Sequence, residues 1–279
     1  MFGYGYGFGK QRGGSSLLPE TKAYIAAMSP QPSAPQIKSI NKLIKTLHDG
    51  GILSRLDALY IVANTEPNSR INVVNPAMVA INQNSVSFAD KLGWTGGSGK
   101  WLDLGINLTS PNLKFANGRG TLGCFLTQGI LTTQSAARGL LGSFETASLS
   151  RNSLRTGLGV IVGRMYADTG DISRSDGESH HIGYYAVSNN TNTELALYAK
   201  TARTTASNTN YGATKLYNGN VFGCANNQGG VAVNPQIDGM IGCFYIGDYF
   251  GGGSGATIDG EHSIFRQALI TYFSEIATL

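Results

Sequence analysis

From about residue 67 to residue 258 the chain is a succession of short β-branched or aromatic runs, among them KWLDLGINL, TLGCFLTQG, HIGYYAVSN, ELALYAKT and DGMIGCFYIGDYF. Clusters of Gly, Asn, Asp or Ser end each one. Short strands at such close spacing bury enough apolar surface only when two antiparallel sheets pack face to face. No helical period alternates with them, which argues against a parallel α/β sheet. The expected fold is therefore mostly β: a two-sheet antiparallel jelly-roll sandwich with a small N-terminal helical subdomain and a C-terminal helix.

The two ends carry the helical signals. PETKAYIAAMS places Pro19 and Glu20 in a first turn, where both are favoured. A second helix is predicted with Ser33 as its cap and Pro35 in its opening turn. Its apolar residues Ile37, Ile40, Leu43, Ile44 and Leu47 recur at helical spacing, with Lys38, Lys42 and Lys45 opposite. ILSRLDALYIVAN reads as a third helical run. At the other end, Ile264, Phe265, Ala268, Leu269, Tyr272 and Ile276 form a stripe that needs a docking surface. The expected organisation is a Gly/aromatic arm over 1–18, a helical lead-in over 19–66, the sandwich over 67–258 and the closing helix over 259–279.

The arm opens MFGYGYGFGK. In an extended chain Phe2, Tyr4, Tyr6 and Phe8 share one face and glycine backbone forms the other. Glycine loses the most entropy on ordering, so such a strip needs a neighbour to order it. Those four rings are the expected docking residues for a partner subunit, by strand addition or by filling a groove.

Little in the chain points to catalysis or a cofactor. GGSGK at 96–100 lacks the upstream glycine and the Ser or Thr that a phosphate loop needs; Trp94 and Trp101 stand there. No GxSxG elbow is present. Of the four histidines, His48 falls at a helix end, His262 falls in the first turn of the last helix, and His180 and His181 point to opposite faces of a strand. The acids of loop 168–178 do not match calcium-loop spacing, so a solvated hairpin loop is expected, with calcium at the sandwich rim as the alternative. Cys124, Cys224 and Cys243 lack CxxC spacing and are odd in number, so buried free thiols in strands are expected rather than a disulfide or zinc site. Charged residues make up 14% of the chain against about 25% in ordinary domains, with a net charge of +4 and no basic run. Neither a nucleic-acid partner nor membrane insertion is expected, and the N-terminus lacks the charged and leucine-rich regions of a secretory signal. The expected cofactor and metal complement is none. Among the sandwich tyrosines, Tyr166, Tyr184, Tyr185 and Tyr249 are the candidate carbohydrate contacts, since an outward ring stacks on a sugar face and only one of the neighbours Tyr184 and Tyr185 is expected to face the core.

Several segments carry a family resemblance. GWTGGSGKWLDLGINLTSPNLKF (93–115), SHHIGYYAVSNNTNTELALYAKTARTT (179–205), LYNGNVFGCANNQGG (216–230), and MIGCFYIGDYF followed by QALITYFSEIAT resemble the concanavalin A-like, laminin-G-like domains of tailed-bacteriophage proteins. ETKAYIAAMSPQPSAPQIKSINKLIKTLHDGGILSRLDALYIVA resembles the helical lead-in that precedes them. The resemblance covers about residues 20–277 and includes no catalytic signature. It implies a jelly roll and a place in the virion, assembled in the bacterial host cytoplasm, on a tail fibre, tail tip or capsid surface that meets host saccharides. It also implies a homo-oligomer, with a trimer expected from the class, held to other virion proteins through the arm. A purely structural decoration protein without ligand is the second expectation, and a glycan depolymerase on the same fold the third.

Overall fold

The computed structural model describes residues 17–116, 118–131, 138–145, 150–157, 160–165, 172–175, 179–180, 182–190, 194–207, 216–235, 238–251 and 260–279. Helices α1 (Pro19–Ala26) and α2 (Ala34–Asp49) come first, then β1 (Leu56–Ile61) and the short α3 (Glu66–Ser69). Strands β2 (Ile81–Gln83), β3 (Ser87–Ala89), β4 (Gly93–Thr95), β5 (Trp101–Asn107), β6 (Gly120–Gln128), β7 (Ile130–Leu131), β8 (Arg138–Glu145), β9 (Ser150–Gly157) and β10 (Val160–Met165) follow. The remainder is β11 (Ile172–Ser175), β12 (Ser179–His180), β13 (Gly183–Asn190), β14 (Glu194–Ala199), β15 (Ala202–Ser207), β16 (Asn220–Gly223), β17 (Asn226–Gln228), β18 (Val231–Val233), β19 (Met240–Gly247) and α4 (Gly260–Ile276).

These strands form the expected pair of sheets. One runs β15-β14-β13-β6-β19-β4-β3, and the other runs β11-β10-β9-β8-β16-β5-β2 with the β17–β18 hairpin joined to β8. A small β7–β12 pair stands apart. The sheets approach closely where β10 crosses the first sheet: a Cβ at Gly163 would lie 2.8 Å from Val187 Cγ2. Val187 and Tyr185 share one face of β13 and so belong to the core between the sheets.

The outer face of the first sheet is buried too, because α4 lies across it. Tyr184, on the opposite face of β13 from Tyr185, meets Phe265 of α4 edge-on at 6.1 Å and stacks with Tyr245 of β19 at 5.8 Å. Strands covered on both sides read as continuous apolar runs rather than alternating ones, which accounts for YYAV in β13 and CFYI in β19.

The same effect corrects the expected third helix. Residues 53–55 form a single 3-10 turn and 56–61 are β1, which pairs with β19 from Leu56↔Gly247 to Ile61↔Cys243. Leu56, Ala58, Leu59, Tyr60 and Ile61 are all buried, and a short run buried on both faces has no period that separates strand from helix. The lead-in segment and the sandwich therefore share a ladder of hydrogen bonds.

Other local expectations fare variously. Ser33 caps α2 in a reciprocal box: its backbone N–H donates to Gln36 Oε1 at 2.9 Å and its Oγ accepts from the Gln36 N–H at 3.4 Å. Ser33→Ala is expected to lower stability by about 1 kcal/mol in thermal or denaturant unfolding, with the fold unchanged. The α4 stripe is buried as expected except for Ile264, which is 41% exposed beside α2. All three cysteines are buried and free, but Cys224 sits on a bend after β16 at φ 61°, not in a strand.

Candidate binding cleft

The four aromatic residues of the arm, Phe2, Tyr4, Tyr6 and Phe8, lie outside the described residues, as do Tyr166 and the acidic residues Asp168, Asp171, Asp176 and Glu178 of loop 168–178. The other three tyrosines are described. Tyr184 and Tyr185 are both 0% exposed, so neither offers a face to a sugar: α4 covers one and the opposing sheet the other. The expectation that one of two neighbouring strand residues faces solvent fails because this sheet has no solvent face at β13. Tyr249 is half-buried past the end of β19, where its carbonyl accepts a 3.1 Å hydrogen bond from Arg55 Nη1.

A cleft of about 570 Å³ opens at the other end of the same sheet. At its base Phe125 of β6 stacks on Phe273 of α4, with centroids 4.9 Å apart and planes 18° from parallel, and the two rings are only 3% and 9% exposed. Ile270, Leu92 and Ile182 complete the apolar lining. Leu92 and Ile182 are 40% and 59% exposed, so two of the larger apolar side chains that face solvent do so here. Lys91, Lys200 and Arg266 line the cleft together with Thr127, Thr201 and Ser274, and no carboxylate is among its lining residues that are described.

Well-fixed elements supply these groups. Lys91 sits in the β3–β4 turn at φ 61°, closed by the Leu92 N–H donating to the Ala89 carbonyl at 3.1 Å. Thr127 Oγ1 donates to the Leu92 carbonyl and ties that turn to β6. Lys200 sits in the β14–β15 turn at φ 56°, its N–H donating to the Tyr184 carbonyl at 2.7 Å. Arg266, Ile270, Phe273, Ser274 and Ala277 occupy one face of α4 by their spacing. Cations gathered over an apolar wall focus the local potential and attract anions.

A second chemically suggestive group is sealed. His262 in the first turn of α4 is 0% exposed, with Tyr184 Oη 2.5 Å from Nδ1 and Ser188 Oγ 3.1 Å from Nε2. Ser188 Oγ is 2.6 Å from Thr121 Oγ1, which accepts the Phe250 N–H at 3.3 Å. Tyr198 stacks on the imidazole at 3.7 Å and Phe250 closes its edge. Burial, with a smaller effect from Arg203, lowers the His262 pKa to about 3, so the ring is neutral and satisfies a hydroxyl on each side in either tautomer. A serine beside a histidine resembles an activated nucleophile, but both are fully buried. This chain of bonds serves to fasten α4 to the sheet.

Sequence reasoning missed the cleft. Its three cations are separated by 109 and 66 positions in the chain, and only the sheet register and the α4 crossing bring them together. Lysine at two left-handed turn positions, where glycine or asparagine is usual, is the one unusual local feature, and it appears only once the backbone is known.

No family model matches the chain, and no curated protein matches it in sequence. Similarity is found in solved structures. One is botulinum neurotoxin type C, whose entering of cells depends on interaction with two ganglioside molecules: TM-score 0.53, 11% identity, covering 79% of this chain and 53% of that one. Another is the binding domain of botulinum neurotoxin DC in complex with rat synaptotagmin II: TM-score 0.52, 9% identity, covering 79% and 52%. A third is the receptor binding domain of the C/D mosaic serotype: TM-score 0.51, 13% identity, covering 79% and 51%. The chain spans about half the length of these structures, and at such identities the likeness is one of fold, a β-sandwich.

Proposed function

We propose that the protein is a bacteriophage virion structural protein, on a tail fibre, tail tip or capsid surface, whose sandwich binds host-surface saccharides through the cleft beneath α4. The observation that carries the binding reading is the cleft itself. The apolar side chains Leu92 and Ile182 face solvent there, three hydroxyls line the wall, and the elements around it are held by backbone hydrogen bonds. Solved structures with this sandwich that serve as receptor-binding domains support a binding role, and the sequence resemblance supports a place in the virion. On this reading the arm of residues 1–18 anchors the protein to its own copies, in a trimer, or to other virion proteins, and the chain is assembled in the bacterial host cytoplasm.

Binding without turnover is favoured over depolymerisation. Hydrolysis needs paired acids flanking the bond, and no carboxylate is found among the described residues that line the cleft. Among the described acids, Asp57 accepts the N–H groups of Lys114 and Phe115 at 2.8 Å, and Asp103 accepts from Asn220 at 2.9 Å. Both serve as ties between strands and loops.

Adsorption competition tests the reading. Protein lacking residues 1–14, mixed with host cells before phage is added, is expected to reduce adsorption in a saturable way without releasing reducing sugar. Unchanged adsorption, with full-length protein still incorporated into particles, would instead identify virion architecture without a saccharide ligand.

A further inference from the structure

We propose that the groove between α2 and α4 seats the aromatic arm of a neighbouring copy of this chain. The inference rests on the reading of the arm as the anchor between copies and adds the surface that receives it. Two features of the sequence need a partner: the run Phe2, Tyr4, Tyr6 and Phe8, and Ile264, the member of the α4 stripe that stays exposed. Ile264 opens onto a groove of about 360 Å³, lined also by Leu43 of α2 and by Ala268 and Tyr272 of α4. The groove follows α4 from Ser263 to Glu275, about 18 Å at 1.5 Å per residue. Phe2 to Phe8 span about 20 Å when extended, so run and groove match in length. The volume takes about two rings, at roughly the 150 Å³ that admits a benzene, and the other rings lie along the rim. Residues 2–9 carry no charge, and Glu275 at the end of the groove is already paired with Lys42 of α2.

A second copy is the better donor of the arm. The arm joins the described chain beside Asn41, whose Oδ1 accepts the Leu18 N–H at 3.3 Å and the Thr21 hydroxyl at 2.9 Å. At about 100° per residue, Asn41 lies on the flank of α2 away from Leu43 and Thr46 of the groove. One way round the helix is closed by the buried side chains Ile40, Ile44 and Leu47. The open way carries Lys38, Lys42 and Lys45, across which a chain would have to draw its own Lys10 and Arg12. An arm from a neighbour enters along the groove without that crossing. Each copy then gives one arm and takes one, a head-to-tail contact that can close into a ring. The saccharide cleft, on another flank of α4, stays free.

The experiment measures the mass of the full-length chain by light scattering over a dilution series. The parent is expected to be oligomeric. Deletion of residues 2–9, or Ile264→Glu, is expected to raise the concentration of half-assembly at least about tenfold and to keep the parent melting temperature. Gln267→Trp, which obstructs the groove from an exposed position, is expected to do the same. The deleted chain and the Ile264→Glu chain are then mixed. The first has an intact groove and the second an intact arm, so a heterodimer is expected. Assembly that needs the arm but is unaffected by both groove variants would place the arm elsewhere and overturn the proposal, leaving the arm as anchor between copies. Absence of the heterodimer would overturn it in the same way. A full-length chain that stays monomeric, or one that assembles equally well without residues 2–9, would overturn both.

Discussion

Lowering the pH from 7 to 3 is expected to cost the fold about 4 kcal/mol through His262 alone. In the folded chain the ring takes up a proton only near pH 3, whereas in the unfolded chain it does so near its ordinary value of 6.5. The contribution is therefore fully present above pH 6.5 and is lost as the pH falls toward 3, at about 1.4 kcal/mol per pH unit. Burial away from water makes protonation unfavourable, and the positive charge of Arg203 adds to it. Tyr184 and Ser188 are neutral hydroxyls, Tyr198 and Phe250 are rings, and the nearest charge is the cation Arg203. Arg203 in turn is paired with Glu194.

Exposed carboxylates add their own acid sensitivity, so the measurement is a difference. Denaturant unfolding of the parent and of His262→Gln, followed from pH 7 to 4, should give a steeper pH dependence for the parent by about 1 kcal/mol per pH unit below 6.5. Equal slopes would show that His262 does not titrate on unfolding. The cleft gives a second readout. Arg266, Ile270 and Phe273 line it from α4, so releasing the helix from the sheet dismantles the cleft, and on the proposed reading saccharide binding should fail together with helix docking.

The second large effect is expected at Gly93 of β4, between β19 and the edge strand β3 and next to the cleft. Its φ of +112° is strained for any side chain, and a Cβ there would lie 2.1 Å from the Ile241 carbonyl oxygen and 2.7 Å from its carbon. The obstacle is backbone of β19, which pairs with β1, β4 and β6 and cannot shift alone. Gly93→Ala should therefore cost about 3–5 kcal/mol, combining backbone strain with overpacking, and lower the melting temperature by roughly 10 °C. Gly99 is the control: its φ of +68° is also left-handed, but nothing lies within 4 Å of an added Cβ. Gly99→Ala should cost only about 1 kcal/mol. Equal losses at the two positions would mean that contact with β19 is not the cause.

Much of the fold was legible because turn chemistry and side-chain period are local. Glycine and asparagine clusters marked the strand ends, Ser33 and Pro35 marked the start of α2, and the 3.6-residue stripe marked α4. Two misreadings share one cause. Leu56–Ile61 was read as helix, and one of Tyr184 and Tyr185 was expected to face solvent. Both lie in strands covered on two sides, where burial erases the alternation that identifies a strand and its exposed face.

The sequence by itself determined the class of fold, because only paired sheets can bury so many short apolar runs without intervening helices. It also determined the positions of α1, α2 and α4. The tertiary structure decided where α4 lies, and with it which rings are buried and where a cleft opens. Register and helix docking bring Lys91, Lys200 and Arg266 to one cleft and shut His262 away from water. Both depend on contacts between residues about 60 to 110 positions apart, which no local pattern encodes.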